Sequence, residues 1–154
     1  GFPTLVDDDW LWGGTLADIH TTILHGIRNT QDENARTSLM PAYGQMLSRQ
    51  EIDDVAEHVL SLTGRSTNAE SVARGAAIYA EQCVACHGEK GEGVREQGGP
   101  ALNDAIWLYG SSKREIAAQI ANPPMGVMPP WEGRLDEATI RMLAVFVHTL
   151  GGGE

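Results

Sequence analysis

The chain has 154 residues, 42% of them hydrophobic, with a formal net charge of −10 at neutral pH. That is enough apolar material for one domain or two small ones, and no run of about 18 apolar residues marks a membrane span. An excess of acidic groups argues against nucleic acid and anionic lipid as partners, and suits a soluble acidic domain that meets a basic one.

Strand signals are scarce, and the helical patterns predict an all-α chain. No basic-then-apolar leader opens it: Gly1-Phe2-Pro3 reads as the start of a processed or truncated chain. After Trp10-Leu11-Trp12-Gly13, the run Thr15-Leu16-Ala17-Asp18 reads as a capping box that starts a helix. Met40-Pro41 follows a polar stretch. A second box at Ser48-Arg49-Gln50-Glu51, with Leu47 and Ile52 placed as a hydrophobic staple, opens a helix that buries Ile52, Val55, Val59 and Leu62. Gly64 stops it, and residues 65–69 read as a polar linker.

A helix over about Glu70 to His87 leads into Cys83-Val84-Ala85-Cys86-His87. C-x-x-C-H is the attachment signature of a c-type haem: two thiols one turn apart form thioethers with the porphyrin vinyls, and the adjacent imidazole ligates the iron. Cys83 and Cys86 are the only cysteines. A redox dithiol would call for a strand–helix context. A zinc site would need a second pair of ligands, which His20, His25, His58 and His148 are not spaced to supply.

Beyond the motif, a glycine-rich loop (Gly88, Gly91, Gly93, Gly98, Gly99) lets backbone approach a porphyrin. Pro100 offers a carbonyl for the ring proton of His87. Trp107, Tyr109 and Trp131 are candidates to line a haem crevice and meet a propionate through N–H or O–H, and Arg134 to neutralise one. Ser112-Lys113-Arg114-Glu115 opens another helix, and Asp136 caps the last, whose stripe is Ile140, Leu143, Val147 and Leu150, ended by Gly151.

The chain also resembles itself. Pro3 aligns with Pro100, Trp10 with Trp107, Ile19 with Ile116 and Ile23 with Ile120 at one offset. Met40-Pro41 aligns with Met128-Pro129, Tyr43 with Trp131, and Val59 with Val147 at a shorter one. The first copy therefore carries about nine extra residues, around Asn29 to Ser38. Residues 1–64 are expected to be a partial cytochrome c-like domain lacking its haem-attaching helix, and 70–154 a complete domain with covalent haem. A sixth iron ligand is expected at Met128, well beyond His87, followed by Pro129-Pro130 and paired by the repeat with Met40. Met125 and His148 are weaker candidates, and Met142 reads as core.

Trp107-Leu108-Tyr109-Gly110, Gly126-Val127-Met128-Pro129, Trp131-Glu132-Gly133-Arg134-Leu135 and His148-Thr149-Leu150-Gly151-Gly152-Gly153 resemble the C-terminal haem domain of the di-haem subunit III of cbb3-type cytochrome c oxidase. Leu5-Val6-Asp7-Asp8-Asp9-Trp10-Leu11-Trp12-Gly13-Gly14 and His25-Gly26-Ile27-Arg28-Asn29 are similar to that subunit's other haem domain. The resemblance implies a cytochrome c fold and an electron-transfer subunit with no catalytic constellation of its own. It implies electrons arriving from a donor cytochrome c and leaving for the catalytic subunit, beside a mono-haem subunit, in a periplasmic setting. The family has an N-terminal membrane anchor and two attachment motifs, and this chain shows neither the anchor nor the first motif. By the resemblance Met40 is the distal ligand of that first haem. A free periplasmic carrier, or a haem sensor or enzyme with a labile sixth ligand, are the alternatives.

Overall fold

The computed structural model describes residues 3–151, 153 and 154. Gly1 and Phe2 of the opening run and Gly152 of the closing run lie outside them. Helices are α1 (Leu16–His25), α2 (Arg49–Leu62), α3 (Ala69–Gln82), α4 (Val84–His87), α5 (Lys113–Ala121) and α6 (Glu137–Leu150), with short 3-10 turns at Tyr43–Gln45 and Arg95–Gln97. Among the described residues the β-structure is limited to isolated bridges between loop positions outside these helices. None of these helices is long and apolar enough to cross a membrane.

Local signals set most helix starts. Ser48 and Ser112 each accept from the backbone N–H three residues on, while Glu51 and Glu115 return the bond to the cap N–H. Asp136 caps α6 through Thr139 N–H. Thr15 caps α1, but its hydroxyl donates to Asp18 instead of forming the reciprocal box, because an Asp side chain is one carbon shorter than Glu. The helix expected to run through His87 is interrupted: α3 ends at Gln82 and Cys83 separates it from the single turn α4. Where the linker was expected, Arg65 lies over the Trp107 ring at 5.5 Å and Asn68 already caps α3.

The chain forms two compact units, and their borders are not those of the two expected copies. One consists of Gly1–Ser38, Arg95–Gly98 and Gly126–Glu154, the other of Leu39–Val94 and Gly99–Met125. Each thus combines parts of both halves of the sequence, whereas the repeat suggests a linker at residues 65–69.

In the first unit α1 packs on α6, with Ile19, Ile140 and Ala144 buried. The α6 stripe is only partly covered, since Leu143 and Leu150 stay over a third exposed. Gly151 ends α6 without a left-handed φ; glycine is needed because any Cβ would run into the backbone of Asp7.

In the second unit α2 packs on α3 and α5. Its core holds Tyr43, Ile52, Val55, Ala56, Val59, Leu60, Tyr79, Ile116 and Ile120. Two charged residues of α2, Asp54 and Glu57, are buried with them, paired to Arg74 of α3 and Lys113 of α5. The α2–α3 crossing is close enough that Gly75 rests directly on the Asp54 carbonyl.

Candidate functional site

The motif stands at the end of α3, inside the second unit. The Cys83 carbonyl accepts from the N–H of both Cys86 and His87, which winds the single turn of α4, and Gly88 closes that turn at φ +79°. The glycine-rich loop then folds back: Gly93 N–H donates to His87 O, and Val94 N–H to Cys86 O and Gly99 O. Gly99 lies against the Cys86 carbonyl so tightly that a Cβ has no room, a close approach only glycine permits.

This return brings Pro100 beneath the imidazole. His87 Nδ1 lies 2.9 Å from Pro100 O. A carbonyl can only accept, so Nδ1 carries the proton and Nε2 is left with its lone pair. His87 is buried, and burial pulls its pKa below the usual histidine value, partly countered by the Pro100 bond. A neutral imidazole with its tautomer set is what an iron centre requires. Burial, with Cys86 adding to it, pushes the Cys83 thiol up to about 11, so it is a poor thiolate for disulfide exchange. Both cysteines are unbridged. Among the described residues they join no third side chain in a cluster able to hold a bare metal ion. The residues present fit a porphyrin held by two thioethers and one imidazole.

Two tyrosines brace the turn, a role that the sequence reading did not give them. Tyr79 Oη donates to Gly88 O at 2.9 Å, and Tyr43 Oη donates to Gln82 O, just before Cys83, at 2.7 Å. Their signal was an aromatic with a polar tip, Tyr79 within the helix that leads to the motif and Tyr43 at the position aligned with Trp131. Tyr43 follows Met40-Pro41, and Met40 packs against the same core as Cys83, Val84, Leu102 and Trp107. Tyr43→Phe is expected to cost about 1 kcal/mol in denaturant unfolding, because the Gln82 carbonyl then has one partner fewer.

The other candidate residues divide between the units. Trp107 and Tyr109 are in the motif's unit. The Trp107 N–H is spent on Asp104 O at 3.2 Å, and the Tyr109 carbonyl accepts from Gln119. Met125 is in this unit and exposed. Met128, Trp131 and Arg134 belong to the first unit. There Met128 exchanges both backbone hydrogen bonds with Ile27, at 2.9 and 3.0 Å, and Arg134 lies over Trp131 and donates to Gln31. Met142 is exposed at 65%, so it is not the core residue expected of it; α6 turns that position outward. His148 bonds the Glu154 carbonyl through Nε2 at 3.0 Å.

An all-α chain with this attachment turn and an oriented, neutral imidazole defines a c-type cytochrome domain. Comparison with known proteins agrees and goes further: residues 70–147 match the family described as cytochrome c oxidase, cbb3-type, subunit III, and the chain belongs to that family. It is 51% identical to the cbb3-type cytochrome c oxidase subunit CcoP of Cereibacter sphaeroides, over the whole of this chain and 54% of that protein. It is 47% identical to the subunit FixP of Sinorhizobium medicae and 50% to that of Azorhizobium caulinodans, again over the whole chain and 53% of each. The chain therefore spans about half the length of the curated relatives it matches.

Proposed function

We propose that this chain carries one haem c, bonded to Cys83 and Cys86 and ligated by His87, and relays single electrons within a cbb3-type oxidase. The electron comes from a donor cytochrome c and goes on towards the catalytic subunit, in the company of the mono-haem subunit, on the periplasmic side of a membrane in which the longer protein is anchored. The chain itself performs no bond-making chemistry. The observation that carries this reading is the hydrogen bond from His87 Nδ1 to Pro100 O, which presents Nε2 from a buried ring.

A bound haem would supply the one-electron couple, and a thioether sulfur as its second protein ligand would favour the reduced form. The protein's part is to hold the imidazole neutral, to keep both thiols on one turn, and to exclude water with the α2–α3–α5 core. The net charge of −10 supplies an approach field for a basic partner.

For the second axial ligand we assign Met40 in preference to Met128. Met40 shares a compact unit and a packed core with the motif, and Tyr43 ties its segment to Gln82. Met128 is the competing assignment, supported by the sequence repeat. In the purified holoprotein, Met40→Ala is expected to abolish the weak ferric band near 695 nm and to lower the midpoint potential, whereas Met128→Ala leaves both in place. The reverse pattern returns the ligand to Met128, and a band absent from the wild type removes methionine ligation altogether. Pyridine haemochrome analysis is expected to give one haem per chain, and copurification with the oxidase separates a subunit from a free carrier.

A further inference from the structure

The segment around 29–38 has no counterpart in the second half of the sequence, and the proposed electron-transfer role gives it no part. In the first unit it is tightly organised. Arg28 N–H donates to Arg36 O and Arg36 N–H to Gly26 O, closing the loop at its neck. Asn29 Oδ1 accepts from the N–H groups of Gln31 and Asp32, and Asp32 Oδ1 accepts from Asn34 N–H. This leaves Asp32 Oδ2 for His25, the last residue of α1, whose Nδ1 is 2.7 Å away. From a third segment, Glu132 is positioned by its own N–H on Leu24 O, and its Oε2 lies 4.0 Å from the same Nδ1. One imidazole nitrogen and two carboxylate oxygens thus fall within 4.8 Å of one another. His25 and Asp32 are largely buried, Glu132 is exposed, and a depression bordered by Gln31, Asn34, Pro130 and Gly133 opens beside them.

A hydrogen-bonded His–Asp pair accounts for Asp32 but not for Glu132. The single Nδ1 proton is already taken, and a second carboxylate brought to the same point repels the first. A divalent cation resolves this: it takes the proton's place on Nδ1, satisfies both carboxylates and balances two negative charges with two positive ones. Mixed nitrogen and oxygen donors suit Zn²⁺ and its first-row neighbours, whereas Ca²⁺ and Mg²⁺ prefer all-oxygen shells. We propose that His25, Asp32 and Glu132 form a binding site for a Zn²⁺-class divalent cation, with the inserted segment supplying its central ligand and the depression admitting a fourth, water. The site joins three separate stretches of chain, so the bound cation stabilises the first unit by mass action. It is independent of the haem reading, because none of the three residues belongs to the motif's unit.

The test is calorimetric titration of the haem-loaded full chain with Zn²⁺ at neutral pH, in chelator-treated buffer. One site per chain is expected, with Co²⁺ giving visible d–d bands as it fills. Asp32→Asn and His25→Gln are expected to weaken it by about a hundredfold or more, and Glu132→Gln by roughly tenfold, while His148→Ala changes nothing. A Zn²⁺-dependent rise in melting temperature, present in the wild type and absent from Asp32→Asn, gives a second reading that does not depend on haem. No binding by the wild type, or equal affinity in Asp32→Asn protein whose melting temperature without metal matches the wild type, overturns the proposal. If Asp32→Asn fails to fold, Glu132→Gln on the exposed rim decides in the same way.

Discussion

Gly75→Ala is expected to lower the stability of the haem-bearing unit by about 3 kcal/mol or more, and with it the yield of haem-loaded protein. A methyl group at this position of α3 would collide with the Asp54 carbonyl oxygen and lie 2.5 Å from its carbon and 2.9 Å from Val55 N. All three are backbone atoms of α2, so no side-chain rotation relieves the contact and the helices must part. Alanine is the better helix former by roughly 1 kcal/mol, which offsets only a fraction of the loss. Parting α2 from α3 also disturbs the end of α3, where Cys83 and the Tyr43–Gln82 bond lie. Gly126→Ala is the control: nothing lies within 4 Å of its added Cβ and its φ is not left-handed, so a change within about 0.5 kcal/mol is expected. Thermal denaturation of the two variants beside the wild type decides it, and a Gly75→Ala protein that melts at or above the wild type refutes the close crossing.

Much of this site can be read locally in the sequence. The C-x-x-C-H turn, the caps at Ser48, Ser112 and Asp136, and the Pro100 carbonyl beneath His87 all depend on residues close in the chain or on one short loop. Helix pairing does not. The two closing helices carry apolar stripes of the same spacing, so periodicity alone cannot say which one covers α3. What separates them is polar. Asp54 and Glu57 of α2 are buried against Arg74 and Lys113, whereas Met142 and Val145 at the aligned positions of α6 are exposed. On a helical wheel this pattern reads backwards, because a charge is taken as the solvent face until its partner on another helix is known. Nor does the repeat show that Met40 shares the motif's unit while Met128 lies in the other. Equivalence between copies ranks residues by sequence order, and spatial grouping follows from pairing across helices.

Asp54→Ala is expected to cost about 2–3 kcal/mol at neutral pH, and progressively less as the pH falls below about 4. The side chain is 3% exposed and accepts from Arg74 Nε at 2.7 Å and Nη2 at 2.9 Å, from Gln50 Nε2 at 3.0 Å, and from the Ser71 hydroxyl. The Arg74 guanidinium foremost holds its pKa far below the carboxylate range, more than offsetting burial. A group with a depressed folded pKa stabilises the fold wherever it is ionised in both states, so the contribution is complete above about pH 5. It declines as pH falls through the unfolded value near 4 and continues to decline towards the folded value. For Glu57, burial pushes the pKa up, but Lys113 Nζ at 3.0 Å and Thr67 N–H at 3.2 Å outweigh it and the net shift is downward, adding to the same acid loss. Removing the Asp54 carboxylate leaves the buried Ser71 hydroxyl without its acceptor, while Arg74, half exposed, returns to water, which keeps the cost below that of a fully enclosed pair. Denaturant midpoints at pH 7 and pH 3 are the measurement: at pH 3, below the unfolded pKa but above the folded one, the gap between wild type and Asp54→Ala should narrow by about 1 kcal/mol without closing. A gap of constant size would assign the effect to packing rather than charge. Since α2 follows the Met40–Tyr43 segment, acid titration of the ferric holoprotein is further expected to bleach the 695 nm band while the thioether-linked haem stays attached. Asp54→Ala should shift that bleaching to higher pH.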